Sequence, residues 1–214
     1  MSMITTTGAV FNPTDPGSPL SKSPSETAVL LMDYQNLVVT KLGPVGDSVL
    51  NVAAQLRDWA LYKGMPVFHC LVDTGARPAP QSKLSARWKW YEDKLAATPA
   101  LGRENEAIAP LGQNDWEMTF LRAPGLVSAL ESNGILEALE EKGIKSLVLC
   151  GVSTSGCVLS TTRAATDRGY IVTVAEDACF DSVPGLHGML VTQVLPTTAH
   201  VATARELMDA WKIL

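Results

Sequence analysis

The sequence predicts an α/β fold: a doubly wound, mostly parallel sheet with helices on both faces. Three observations predict it. Short, continuous apolar runs recur at residues 28–32, 66–72, 146–150 and 170–175, as suits strands buried on both faces. Stretches with apolar residues at helical spacing lie between them, and Gly64, Gly143 and Gly169 stand where those stretches end, the usual place of a helix-closing glycine. Strands that alternate with helices in this way pair in parallel. At 214 residues the chain is long enough to enclose one core and does not require two.

The elements follow in order. Residues 1–25 carry Pro13, Pro16, Pro19 and Pro24 among many Ser and Thr and read as an extended N-terminal arm. The folded domain is expected over 26–214. Its first strand, 28–32, runs into Asp33. Residues 46–63 form a helix with a stripe at Val49, Val52, Ala53, Leu56, Trp59 and Ala60. A second strand covers 66–72. Residues 73–115 read as a long irregular loop with prolines at 78, 80, 99 and 110 and aromatics at Trp88, Trp90 and Tyr91; such loops commonly cover or shape a site. The loop aromatics and Trp116 suit either a flat apolar pocket or plain packing. A short strand at 117–121 leads to Arg122, a helix spans 131–142, and the strand 146–150 enters a turn and a helix over about 155–168. After the strand 170–175, helical segments near 185–194 and 199–211 complete a three-layer, Rossmann-like sandwich.

Composition removes several classes of function. A net charge of −5 disfavours nucleic acid or an anionic membrane as partner, since both need a basic face. No apolar run is long enough for a membrane span, and the first residues lack the pattern of a secretory signal, so a cytoplasmic protein with a small-molecule substrate is expected. The four cysteines, at 70, 150, 157 and 179, form no CxxC pair, which argues against structural zinc; disulfides are not expected in a reducing compartment. The first strand is followed by Asp33-Tyr34-Gln35-Asn36 and not by a glycine-rich phosphate loop, so dinucleotide chemistry is disfavoured.

Ligands of doubly wound sheets gather beyond the carboxyl ends of the strands, and three polar features stand at such ends: Asp33, Arg122 and the turn that carries Cys157. A cysteine in the first turn of a helix meets unpaired N–H groups and a positive dipole end, which favour the thiolate. The same N–H groups can receive an oxyanion. From position alone Cys157 also reads as a small buried hydrophobe, Asp33 as a solvated strand end and Arg122 as a surface charge. Cys70 and Cys150 read as core; Cys179 reads as structural.

Two motifs carry a resemblance. Ala28-Val29-Leu30-Leu31-Met32-Asp33-Tyr34-Gln35-Asn36 resembles the first-strand motif of isochorismatase-like cysteine hydrolases, and Gly151-Val152-Ser153-Thr154-Ser155-Gly156-Cys157-Val158 resembles that family's nucleophile motif. Thr161, Ala164, Ala165, Gly169-Tyr170 and Glu176-Asp177-Ala178 extend the likeness, which covers about residues 28–210. It implies a catalytic triad with Cys157 as nucleophile and Asp33 as general base. It also implies a non-proline cis peptide between Val152 and Ser153, oxyanion donors at the Ser153 and Cys157 N–H groups, and Gln35 in the substrate pocket. The triad lysine is missing. Arg122 is the cation ahead of Ser128-Ala129-Leu130, with Lys41 a weaker substitute, and an arginine cannot give up its proton. Asp73-Thr74-Gly75 lacks the histidine of the zinc-binding branch, so no metal or other cofactor is expected and nicotinamide is disfavoured. The resemblance further implies a dimer or tetramer.

The expected activity is hydrolysis of a small amide or related carbonyl compound through a covalent Cys157 intermediate. The alternatives are isochorismate cleavage, a vinyl ether hydrolysis, or a catalytically silent binding protein on the same fold.

Overall fold

The computed structural model describes residues 11–212 except Leu111 and Gln113. The first ten residues of the expected arm lie outside that range. Six parallel strands, β1 (Thr27–Met32), β2 (Val67–Val72), β3 (Glu117–Arg122), β4 (Ser146–Val152), β5 (Ile171–Phe180) and β6 (His200–Ala202), form one sheet in the order β3-β2-β1-β4-β5-β6. Helices α1 (Asn36–Val39), α2 (Val45–Tyr62), α3 (Ser85–Ala97), α4 (Ile135–Glu141), α5 (Leu159–Asp167), α6 (Leu186–Met189) and α7 (Ala204–Ala210) complete a three-layer α/β sandwich.

The two central strands show why the apolar runs matter. Every residue of β1 and of β4 is buried, because a parallel sheet covered on both faces leaves neither side of a strand to water. β1 and β4 pair from Thr27 opposite Ser146 to Met32 opposite Gly151. Gly151 permits this closeness: a Cβ there would lie 2.6 Å from the Met32 carbonyl oxygen and 2.7 Å from the Met32 Cβ.

α2 buries Val49, Leu50, Ala53, Leu56 and Ala60, so the stripe legible in the sequence is the face it turns to the core. Gly64 follows with φ +74°, a conformation open to glycine at little cost. Trp59 packs on Trp211 with ring centroids 5.6 Å apart, which ties α2 to the end of the chain. The described part of the arm lies against the domain: Leu20 is buried, Phe11 packs on the core, and the Gly17 carbonyl is 2.9 Å from His200 Nε2.

The connections set the position of the site. The chain moves outward from β1 to β2 to β3, then returns across the sheet to lay β4 against the other side of β1. Its direction reverses between β1 and β4, so their carboxyl ends flank the crevice where such sheets bind ligands.

Four parts of the sequence reading are corrected. The stretch 73–115 contains the thirteen-residue helix α3; its prolines fall outside the helix, and its apolar residues Leu84, Trp88, Tyr91 and Leu95 follow one another at helical spacing. The segment 199–211 opens with β6, whose three residues pair with Thr173–Ala175 before α7 begins. β5 continues to Phe180, past Glu176 and Asp177. A register irregularity against β4 between Leu149 and Gly151 accompanies this extension, and Asp177 accepts the Ala204 N–H at 2.7 Å. The helix expected over 131–142 is reduced to α4, behind a 3-10 turn at Ala129–Glu131.

A buried ionic cluster crosses the β2–β3 side. Arg57 Nε meets Glu117 Oε1 at 2.6 Å, while His69 reaches Glu104 at 2.9 Å and Glu117 at 3.2 Å. These groups are mutually hydrogen-bonded, as buried polar groups must be. Among the described residues, no helix is long and apolar enough to cross a membrane.

Candidate active site

Asp33 is the first residue beyond β1. Its φ is +60°, a left-handed conformation that Asp tolerates better than most residues. Its N–H still bonds to the Cys70 carbonyl at 3.0 Å. The next residue, Tyr34, turns fully inside, where its hydroxyl donates to the Ala178 carbonyl of β5. The carboxylate stays at the sheet end, 7% exposed.

Arg122 closes β3 and is buried. Nη1 donates to Asp33 Oδ1 at 2.9 Å and Nη2 to Asp33 Oδ2 at 2.5 Å, while Nε donates to the Leu126 carbonyl at 3.0 Å. The planar fork therefore spends its donors on one carboxylate and one main-chain oxygen. Burial opposes the guanidinium charge, but the adjacent Asp33 carboxylate outweighs it and holds the Arg122 pKa above its ordinary value. Lys41 lies elsewhere, 5.3 Å from the centre of the Tyr91 ring.

Cys157 follows from the end of β4. The Val152–Ser153 peptide is cis. The expected first helical turn is wider than an α-turn: Thr154–Val158 form a π-turn, with Gly156 at φ −96° and ψ −106°, before α5 starts at Leu159. A side chain at Gly156 would come within 2.8 Å of the Ser153 hydroxyl. The Ser153 carbonyl gathers the Gly156 N–H at 3.1 Å and the Cys157 thiol at 3.7 Å.

The shift of the Cys157 thiol runs against the thiolate, contrary to the expectation from the helix terminus. Cys157 is 3% exposed. Burial first, and the Asp33 carboxylate second, push its pKa well above the usual thiol value, against the opposing pull of Arg122. Desolvation of a charged sulfur outweighs the favourable end of a short, distorted turn. Cys70, Cys150 and Cys179 are also buried and shifted upward by burial, Cys150 to about 12.

Two supporting residues went unread in the sequence. Asp181, just past β5, accepts the Ser155 N–H at 2.9 Å and the Val183 N–H at 3.1 Å. Partial burial works to raise its pKa, but these donors and His187 together lower it. His187 Nδ1 sits 2.9 Å from the Thr154 hydroxyl, and burial lowers its pKa. The turn that carries Cys157 is thus held from outside at two successive residues. An Asp just past a strand and a His in a short helix carry no local signal for that role.

Gln35 is buried beside Asp33. Nε2 donates to the Val72 and Gly102 carbonyls at 3.0 and 2.8 Å, and Oε1 accepts the Val72 N–H at 3.0 Å. It lines an apolar cavity of about 180 Å³, together with Trp88 and Tyr91. Trp116 is not part of that cavity; it precedes β3, half-exposed, at the amino end of the strand. No group of three or more His, Cys, Asp or Glu among the described residues is arranged to hold a metal ion.

Comparison with known proteins agrees with this architecture. The "Uncharacterized isochorismatase family protein YecD" of Escherichia coli O157:H7 is 26% identical over 197 residues, covering 86% of this chain and 95% of that protein. The "Probable isochorismatase" of Pseudomonas chlororaphis is 26% identical over 189 residues, covering 88% and 87%. A crystal structure of a cysteine hydrolase from Pseudomonas syringae pv. phaseolicola 1448A shares the fold with a TM-score of 0.69 at 16% identity, covering 90% of this chain and 95% of that one. The sequence pattern of the Isochorismatase domain matches residues 27–206, and with its six-stranded sheet the chain belongs to the isochorismatase family as an isochorismatase-like hydrolase.

Proposed function

We propose that this protein hydrolyses a small amide or related carbonyl compound through a covalent intermediate on Cys157. The observation that carries the reading is the meeting of Asp33, Arg122 and the Cys157 turn where the path of the chain across the sheet reverses. In the first step the Cys157 proton passes to the Asp33 carboxylate as sulfur bonds to the carbonyl carbon. Burial holds the Cys157 pKa above the usual thiol value, so the attack needs a base beside the sulfur. The oxyanion is received by the N–H groups of Ser153 and Cys157. Its collapse breaks the C–N bond, and the amine leaves with the proton that Asp33 held. Water then attacks the thioester and gives its proton to Asp33. Release of the carboxylic acid restores the thiol. Arg122 remains a cation throughout and keeps the Asp33 carboxylate oriented.

Two other readings have an observation behind them. The likeness to the Pseudomonas chlororaphis protein supports isochorismate cleavage. The occupation of both Asp33 oxygens by Arg122 supports a binding protein without turnover. The deciding experiment incubates the protein with amides, esters and isochorismate, and looks for an acyl adduct on Cys157 by intact mass spectrometry. The proposal expects an adduct and turnover with a carbonyl substrate, both lost in Cys157→Ala. Isochorismate turnover that survives Cys157→Ala supports the second reading; no turnover of any compound supports the third.

A further inference from the structure

We infer that the cavity beside Gln35 is the acyl subsite of this enzyme, and that it selects carbonyl compounds bearing one uncharged, ring-sized apolar group. The inference rests on the hydrolase reading above and adds the substrate class to it.

Position comes first. Gln35 lies two residues beyond Asp33, and Val72, also in the cavity lining, is the register partner of Arg122 across the β2–β3 pair. The cavity floor is therefore built from the neighbours of the Asp33–Arg122 pair, on the carboxyl-end side of the sheet. A more open groove of about 430 Å³, by Leu20, Pro24, Lys63 and Trp211, adjoins residues that precede β1 and β2, at the opposite end.

Chemistry comes second. Leu37, Val38, Leu84, Trp88, Tyr91 and Leu95 supply an apolar wall. The Trp88 and Tyr91 rings pack together, with centroids 5.7 Å apart. The polar groups in the lining are few: the Gln35 amide, the Thr74 hydroxyl and the Lys41 ammonium. The Gln35 amide is committed to main-chain partners on both its nitrogen and its oxygen, and the Lys41 ammonium sits over the Tyr91 ring. A group entering this space loses water and regains few hydrogen bonds, which penalises charge and rewards apolar surface.

Size comes third. A volume of about 180 Å³ is below that of drug-sized sites, while an apolar cavity of roughly 150 Å³ is enough for a benzene ring. One ring or a branched alkyl group of similar bulk fits. A dicarboxylate such as isochorismate would find one cation there, already engaged with an aromatic face.

The test separates binding from turnover. Acetamide and 2-phenylacetamide are titrated into Cys157→Ala protein and followed by ligand-observed NMR. The subsite predicts at least tenfold tighter binding of 2-phenylacetamide. Leu84→Phe, which fills the cavity, and Trp88→Ala, which removes its wall, should each reduce that advantage to less than threefold. Equal binding of the two amides, or an advantage that persists in a folded Leu84→Phe protein, overturns the inference. Hydrolysis by the unmodified enzyme is scored separately. Selective binding of 2-phenylacetamide with no turnover of either amide keeps the subsite and removes the hydrolase mechanism. Turnover of both at equal kcat/KM keeps the mechanism and removes the subsite.

Discussion

The guanidinium of Arg122 lies edge-on to the carboxylate of Asp33, two nitrogens against two oxygens, with its third donor fixed to the Leu126 main chain. Both residues are buried. A lysine in the same place would offer one nitrogen and no fork, so this pair is stiffer than an ammonium–carboxylate contact. It also fixes the loop after β3 relative to the end of β1.

Removing one partner from such a pair leaves the other charge buried and unpaired. Arg122→Met and Asp33→Asn are each expected to lower unfolding stability by about 3–5 kcal/mol. The double variant should lose less than the sum of the two, because neither charge is then left alone. Urea denaturation of the four proteins measures the coupling. Strict additivity would mean that the pair contributes no mutual stabilisation.

The raised pKa of Cys157 makes its reactivity depend on pH in a definite sense. Iodoacetamide labelling of Cys157 in the free enzyme, read by peptide mass spectrometry, should be no faster than that of glutathione at pH 7. It should climb through pH 9 without reaching a plateau. Rapid labelling with a plateau near neutrality would show a thiolate at rest. Stability follows the same sign. The folded thiols have pKa values above the unfolded one of about 8.5, so their contribution is fully present below that pH. It is lost as pH rises from there toward the folded values, by about 1.4 kcal/mol per pH unit for each thiol. A urea midpoint that stays constant between pH 8 and 10 would contradict buried neutral cysteines.

Gly151 is the third point of leverage. A methyl group there would press on main-chain and Cβ atoms of Met32 in the neighbouring strand, and neither strand has room to withdraw. Gly151→Ala is expected to cost about 1–3 kcal/mol, measured as a lower thermal midpoint and lower soluble yield. An unchanged midpoint would mean that β1 and β4 separate more easily than their burial implies.

Much of the fold was legible because the signals were strong where burial is complete. β1 and β4 announce themselves as unbroken apolar runs, since no face of either meets water. α2 shows its stripe because one side faces the core and the other faces solvent. α3 was obscured by the prolines around it and by the charges on its exposed side, although the spacing of Leu84, Trp88, Tyr91 and Leu95 held the information. β6 is too short for any periodicity. In the site, Asp33, Arg122 and Cys157 were legible as strand-end residues, and the structure brings them together. Their electrostatics were not, because the balance between desolvation and helix-end stabilisation depends on how deeply the thiol sits. His187 and Asp181 were silent for a different reason: they act from a separate segment, through hydrogen bonds that leave no pattern along the chain.

The cavity beside Gln35 has two kinds of surface. One kind is the end of β2 at Val72, which the sheet holds and the Gln35 amide ties to Gly102. The other is one face of α3, where the side chains of Trp88, Tyr91 and Leu95 can be exchanged without disturbing the sheet. On the proposed reading, substrate preference is set on a helix while the reaction centre stays with the strands, so altering what the protein accepts need not alter how it works.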